Sequence, residues 1–185
     1  MGEVMIIRTA TEADAPALAA IYGDAVLHGF GTFEEEPPSA ADMDGRRRAI
    51  TDQGLPYLVA EEDGQLLGFA YAGPFRPRAA YRYTLEDSVY VSPDAKGKGV
   101  GRAVLSAVIA ACEALGIRQL MAVIGDTQNA GSIGLHTALG FENMGTGRSV
   151  GFKHGRWVDI VHMQKALNGG DTTLPTGGGV TLTGH

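Results

Sequence analysis

The sequence predicts a mixed α/β fold, and three observations carry the prediction. Apolar residues recur with helical period from Leu18 to Val26 and again from Val100 to Cys112. Short runs rich in Val, Leu, Ile and Tyr, among them Tyr57–Glu61, Gln65–Ala72 and Leu120–Ile124, read as strands. Glycines at 64, 116, 140 and 155 punctuate the joints between these segments. At 185 residues with 44% hydrophobic content, the chain is long enough for one core and one domain.

The elements follow in order. Val4 to Arg8 is a first strand, and Thr9 and Thr11 can cap a helix whose Leu18, Ile21, Tyr22, Ala25 and Val26 share a face. A loop runs through Thr32 to Pro38. Ser39 to Asp52 is a more polar helix, with Arg46, Arg47 and Arg48 read as a solvated face. A hairpin turns around Glu62-Asp63-Gly64, and Thr84 to Val91 is the next strand. The helix from Gly99 to Leu115 buries Val100, Val104, Leu105, Val108, Ile109 and Cys112, and Gly116 stops it. Leu120 to Ile124 is a buried strand, Asn129 to Leu139 a helix ending at Gly140, and Phe141–Val150 and Arg156–Met163 two closing strands. The order is β-α-α-β-β-β-α-β-α-β-β. Residues 1–167 form the domain, and the Gly/Thr-rich stretch Asn168 to His185 reads as an appended tail.

Composition removes several classes of function. A net charge of −6 and a pI near 5.3 argue against nucleic acid as a partner. The single Cys112 sits in a helical apolar pattern and reads as a core residue. The N-terminus lacks the basic region and cleavage site of a signal peptide, no apolar run reaches membrane-spanning length, and the expected compartment is the cytoplasm. The histidines are scattered, without the spacing of a metal site, so no metal is expected.

The strand ending at Val91 opens through Ser92-Pro93-Asp94-Ala95-Lys96-Gly97-Lys98-Gly99-Val100-Gly101-Arg102 into a long helix. Unscreened backbone N–H groups, a helix N-terminus and three basic side chains in an acidic protein make an anion cradle. The spacing fits neither a Walker loop nor the dinucleotide fingerprint, whose third glycine position falls on Arg102 or Val104. Lys96 to Gly101 resembles the Arg/Gln-x-x-Gly-x-Gly/Ala loop of the GCN5-related N-acetyltransferases (GNAT), with Lys at the first position.

That resemblance implies acetyl-CoA as co-substrate and a mostly antiparallel mixed sheet with a splayed strand pair and helices on both faces. It implies that the strand carries a bulge and that Val89 or Val91 offers a backbone N–H to the thioester. Cofactor contacts then fall on Val89, Tyr90, Val91, Gly97, Lys98, Gly99, Val100, Gly101, Arg102, Asn129 and Ser132. Asn129 also suits an N-cap. Ser132 does not form a hydrolase elbow, because Ala130 stands where the first glycine would be.

An ammonium has no lone pair with which to attack a thioester, so an amine acceptor needs a base. Glu86 is the candidate, and Asp87 points to the opposite face of the same strand. His136 is either structural or a proton donor to the leaving thiolate.

Further segments are similar to the phosphinothricin and methionine sulfoximine N-acetyltransferase branch. They are Thr32-Phe33, Glu36-Pro37-Pro38, Tyr71 to Arg76, Thr84 to Val91, Ser132 to His136 and Gly155 to Asp159. The branch assigns residues like Glu86 and His136 to catalysis and forms dimers. It implies a small amino-acid-like acceptor near Phe33, Phe75, Arg76, Pro77, Arg78, Glu86, Asp87 and Ser88, with the arginines suited to a carboxylate or phosphinate. Acetylation of a protein N-terminus or lysine, and a non-catalytic acetyl-CoA-binding module, are the competing expectations.

Overall fold

The computed structural model describes residues Val4 to Leu182. Its centre is a seven-stranded sheet in the order β1-β2-β3-β4-β5-β7-β6. The strands are β1 (Ile6–Thr9), β2 (Tyr57–Glu62), β3 (Gln65–Pro74), β4 (Thr84–Val91), β5 (Gln119–Gly125), β6 (Glu142–Lys153) and β7 (Arg156–Ala166). Only β4 and β5 run parallel; every other neighbouring pair is antiparallel.

Helices α1 (Ala15–His28) and α2 (Ala40–Thr51) cover one face, and α3 (Val100–Ala114) and α4 (Ala130–Ala138) the other. The stripe predicted for α3 is buried in full, against Leu85, Leu120, Ala122 and Met163 of the sheet. Cys112 lies in that stripe, fully buried, and loss of water pushes its thiol up to about 12. The second core joins Leu18, Tyr22, Val26 and Met43 to Tyr57, Val59 and Phe69. Among the described residues, no helix is long and apolar enough to cross a membrane.

Several boundaries differ from expectation for local reasons. A 3-10 turn (Glu12–Asp14) precedes α1, and Thr11 caps that turn, its N–H donating to Asp14 at 2.7 Å. Asp14 also accepts two bonds from Arg8, which settles the buried carboxylate before α1 begins with Pro16 in its first turn. The arginine triplet of α2 is not simply solvated. Arg46 pairs with Glu34, and Arg47 and Arg48 both pair with the buried Asp44. Strand β6 extends three residues beyond the predicted Val150, through Gly151 to Lys153, because Gly151, Phe152 and Lys153 pair with Val158, Trp157 and Arg156 of β7. The tail is fastened to the body: Arg118 donates to the carbonyls of Gly170 and Thr173, and the Val180 N–H to the Arg82 carbonyl.

Candidate active site

The sheet parts where its only parallel pair ends. β4 and β5 pair from Thr84/Gln119 to Asp87/Ala122 and no further, while β5 continues against β7 to Gly125. Ser92 N–H donates to the Leu67 carbonyl of β3 at 2.8 Å. Strand alternation therefore aims the N–H groups of Ser88 and Tyr90 at β3 and those of Val89 and Val91 into the opening. The expected bulge in β4 is absent: its register on β3 is unbroken from Leu85 to Val91. Divergence from β5, not an inserted residue, frees this backbone.

Beyond β4 the chain makes a 3-10 turn (Pro93–Ala95) and reaches α3 through Gly97 and Gly99, with φ of 77° and 82°. Only glycine adopts that region without strain. A Cβ built on either glycine meets no neighbouring atom within 4 Å, so open space lies beside this backbone. Ala103 N–H makes the first bond of α3, to the Gly99 carbonyl. The N–H groups of Val100, Gly101 and Arg102 thus have no intrahelical acceptor, which suits a phosphate at the positive end of the helix.

A cavity of about 1120 Å³ joins this loop to the gap between β4 and β5. Glu86 lines it, half-buried, across the sheet from Gly73. A Cβ on Gly73 would touch Ile50, so Glu86 faces the α2 side of the sheet. Burial raises its carboxyl above the ordinary value and Asp87 adds to the rise, while Arg76 opposes it.

Asp87 points the other way and is buried against α4, where its Oδ1 meets His136 Nε2 at 2.9 Å. His136 Nδ1 lies 2.8 Å from the Ser132 carbonyl, which only accepts, so Nδ1 carries a proton. A second proton is shared between Nε2 and Asp87. Burial disfavours the imidazolium, but Asp87 and the Ser132 carbonyl outweigh it and leave His136 above its ordinary value. Burial likewise raises Asp87, with His136 pulling against it. Asp87 Oδ2 is buried without a protein hydrogen-bond partner.

A second set of lining residues comes from distant parts of the chain. Phe30, Thr32 and Phe33 belong to the loop after α1, Gly125 and Asp126 to the end of β5, and Arg156 and Ile160 to β7. Arg156 pairs with the buried Asp126 and lies over the Phe30 ring, 3.8 Å from its centroid. The Tyr22 hydroxyl meets Thr32 Oγ1 at 2.8 Å and Glu34 at 2.9 Å, and Arg46 holds Glu34 from outside.

Residues 7–162 match the family model described as an acetyltransferase (GNAT) domain. The chain belongs to the GNAT acetyltransferases. It is 56% identical to the phosphinothricin N-acetyltransferase of Alcaligenes faecalis, over 91% of this chain and 86% of that one. It is 43% identical to an L-methionine sulfoximine/L-methionine sulfone acetyltransferase of Pseudomonas paraeruginosa, over 88% and 94%. A GNAT superfamily phosphinothricin acetyltransferase from Sinorhizobium meliloti, solved in complex with AcCoA, superposes with a TM-score of 0.90 at 49% identity, covering 95% of each chain.

In this GNAT chain the cavity gathers most of the residues singled out from sequence. Val89, Tyr90, Val91, Gly97, Gly99, Val100, Gly101, Arg102, Asn129, Ser132, His136, Phe33, Glu86, Asp87 and Ser88 all line it. Lys98 does not; it is exposed outside the cradle, and Lys96 lines the cavity instead. Phe75, Arg76, Pro77 and Arg78 also lie outside, in the loop after β3. There Arg76 stacks on Phe75, whose ring meets Tyr81 edge-on, although the charge of Arg76 still reaches Glu86. Asn129 caps α4 by accepting from Ser132 N–H and donates to the Gly125 carbonyl. Phe30, Gly125, Asp126 and Arg156 were not foreseen. Of these, Arg156 alone fell in a segment singled out from sequence, Gly155 to Asp159, and there for its likeness to the branch and not as a lining residue. Among the described residues no group of three or more His, Cys, Asp or Glu is placed to hold a metal.

Proposed function

We propose that this GNAT enzyme transfers acetyl from acetyl-CoA to the amino group of a small amino-acid-like acceptor of the methionine sulfoximine, methionine sulfone or phosphinothricin type. The observation that carries this reading is Glu86: a half-buried carboxylate with a raised pKa, in the cavity where β4 leaves β5. The named activities of the two relatives given above support the acceptor class.

The Gly97–Arg102 backbone and Arg102 bind the pyrophosphate, and the exposed N–H of Val89 or Val91 polarises the thioester carbonyl. Glu86 takes the proton of the acceptor ammonium, directly or through a water, and the freed amine attacks the carbonyl carbon. As the carbonyl re-forms and the C–S bond breaks, the sulfur leaves as a thiolate and the nitrogen gives up its second proton to solvent, leaving the neutral amide. The buried His136–Asp87 pair, both members of which line the cavity, supplies a proton to the thiolate through Asp87 or a water and recovers one from solvent. Phe33 walls the acceptor, Ser88 lies beside it, and Arg76 draws its anionic group toward Glu86. Phe75, Pro77 and Arg78 shape the approach from outside the cavity.

Two copies associate in the same reading. Its support is the exposed band of Val150, Phe152 and Trp157 on the edge hairpin β6–β7, and light scattering of the purified protein tests it. The single buried thiol suits a reducing cytoplasm. Thiol release from acetyl-CoA, measured across the three named acceptors, ordinary amino acids, polyamines and short peptides, tests the acceptor class. Saturable turnover on the named three is expected. Turnover confined to peptides overturns the acceptor class, and binding of acetyl-CoA with no turnover overturns the enzymatic reading.

A further inference from the structure

Lys153 is 1% exposed, at the end of the edge strand β6. A lysine is seldom buried so completely, because its ammonium must replace every hydration bond it gives up. Lys153 Nζ donates to the Gly29 carbonyl at 2.9 Å and the Thr32 carbonyl at 2.8 Å, so both bonds end on the loop that carries Phe30 and Phe33. The same loop sits on two glycines of the sheet. A Cβ at Gly151 would overlap the Phe33 ring, and one at Gly125 would overlap the Phe30 carbonyl. Neither glycine is needed for its backbone angles, since neither is among the residues of positive φ. Close approach of the loop is the reason for both.

We propose that Gly151 is a specificity-determining position for the acceptor and Lys153 a positioning residue: together they seat the Gly29–Phe33 loop so that Phe33 forms the acceptor wall at a fixed depth. This rests on the reading of Phe33 as that wall. The two residues act through Phe33 and touch neither reactant. The Tyr22 hydroxyl, which donates to Glu34 and accepts from Thr32, holds the loop from the α1 side, so the β6 side is the part that a single methyl group can move.

Steady-state kinetics of Gly151→Ala, Lys153→Met, Phe33→Ala and the double variant Gly151→Ala/Phe33→Ala test the proposal. Gly151→Ala is expected to raise the acceptor KM on the order of tenfold while the acetyl-CoA KM stays within about twofold. The double variant is expected to match Phe33→Ala alone, because the added methyl no longer has a ring to displace. Lys153→Met is expected to shift the same parameter in the same direction. An unchanged acceptor KM in Gly151→Ala, or an equal rise in the Phe33→Ala background, overturns the proposal.

A second readout does not depend on turnover: the 19F resonance of Phe33 in protein labelled with 4-fluorophenylalanine, assigned by its loss in Phe33→Leu. It should shift in Gly151→Ala, and an unshifted line overturns the seat even if kinetics change. If the unmodified enzyme turns over none of the amino-acid acceptors, the acceptor reading falls, and the fluorine line alone decides whether Gly151 seats the ring. Should Lys153→Met fail to fold, Gly151→Ala carries the test.

Discussion

The cavity has two sides built in opposite ways. The cradle side is one continuous stretch, from Val89 through Gly97 and Gly99 into α3, and nearly all of its groups are backbone. The other side is assembled from the loop after α1, the end of β5 and the β6–β7 hairpin, and its groups are side chains held by long-range contacts. On the proposed reading, a site for an invariant diphosphate is written locally, whereas a site that must suit a particular acceptor draws on segments free to vary independently. Glu86 and Asp87 stand at the seam, adjacent in sequence and on opposite faces.

The largest expected effect breaks the comparison at that seam. Glu86→Gln should lower kcat/KM by about 10²–10⁴-fold while acetyl-CoA binding, measured by calorimetry, is unchanged. If Glu86 is the base, as proposed, it must be deprotonated, and because burial raises its carboxyl, kcat/KM of the unmodified enzyme should fall as pH drops through a value above that of a free carboxylate. That acid limb should vanish in the variant.

Next comes the opposite face. Asp87→Ala leaves His136 buried without its partner and should destabilise the protein by about 3–5 kcal/mol in urea unfolding. A smaller effect is expected in the cradle. Gly99→Val forces a β-branched residue to φ 82° beside the diphosphate, and should weaken acetyl-CoA about 10–100-fold with little change in acceptor KM. Equal losses for both substrates would show that the two sides are not separable.

The smallest effect lies away from both. Arg8 holds the Asp14 carboxyl at about 2, against 3.8 for the free group. The lowered pKa contributes stability that is present above pH 3.8 and lost as pH falls toward 2. Arg8 is one-third exposed, so solvent screening limits the contribution to about 1–2 kcal/mol. Asp14→Asn should flatten the decline of stability over that range, read from melting temperatures at pH 2 to 4.

These differences track what the sequence made legible. Helix α3 and its buried stripe, strand β4 and the glycine loop were readable because each is specified by neighbours within a few residues. Asn129 was readable as the N-cap of its helix, whereas His136 was readable only as a residue of that helix, structural or proton-donating. Arg156, Phe30 and Asp126 carry no periodic or spacing signal; only the return of β7 beside β5 brings them together. Lys153 fell between the two predicted closing strands, and no local pattern shows that an ammonium will meet two carbonyls more than a hundred residues upstream. The solvated reading of the arginine triplet holds for the exposed Arg46 and Arg48; helical spacing alone places Asp44 beside Arg47 and Arg48, whereas nothing local points Arg46 at Glu34 in the loop before the helix. The assumed bulge in β4 shows the limit of a family expectation, since divergence of the partner strand opens the same backbone.

The fully buried Cys112, its thiol pushed up to about 12, makes the enzyme silent toward thiol reagents while it is folded. Colour developed during turnover therefore counts released coenzyme alone, with no background from the protein. A cysteine introduced at an exposed position such as Leu174 becomes the one reactive sulfur in the chain, ready for a single spin label or dye. One concealed atom thus leaves the whole surface open to site-by-site measurement.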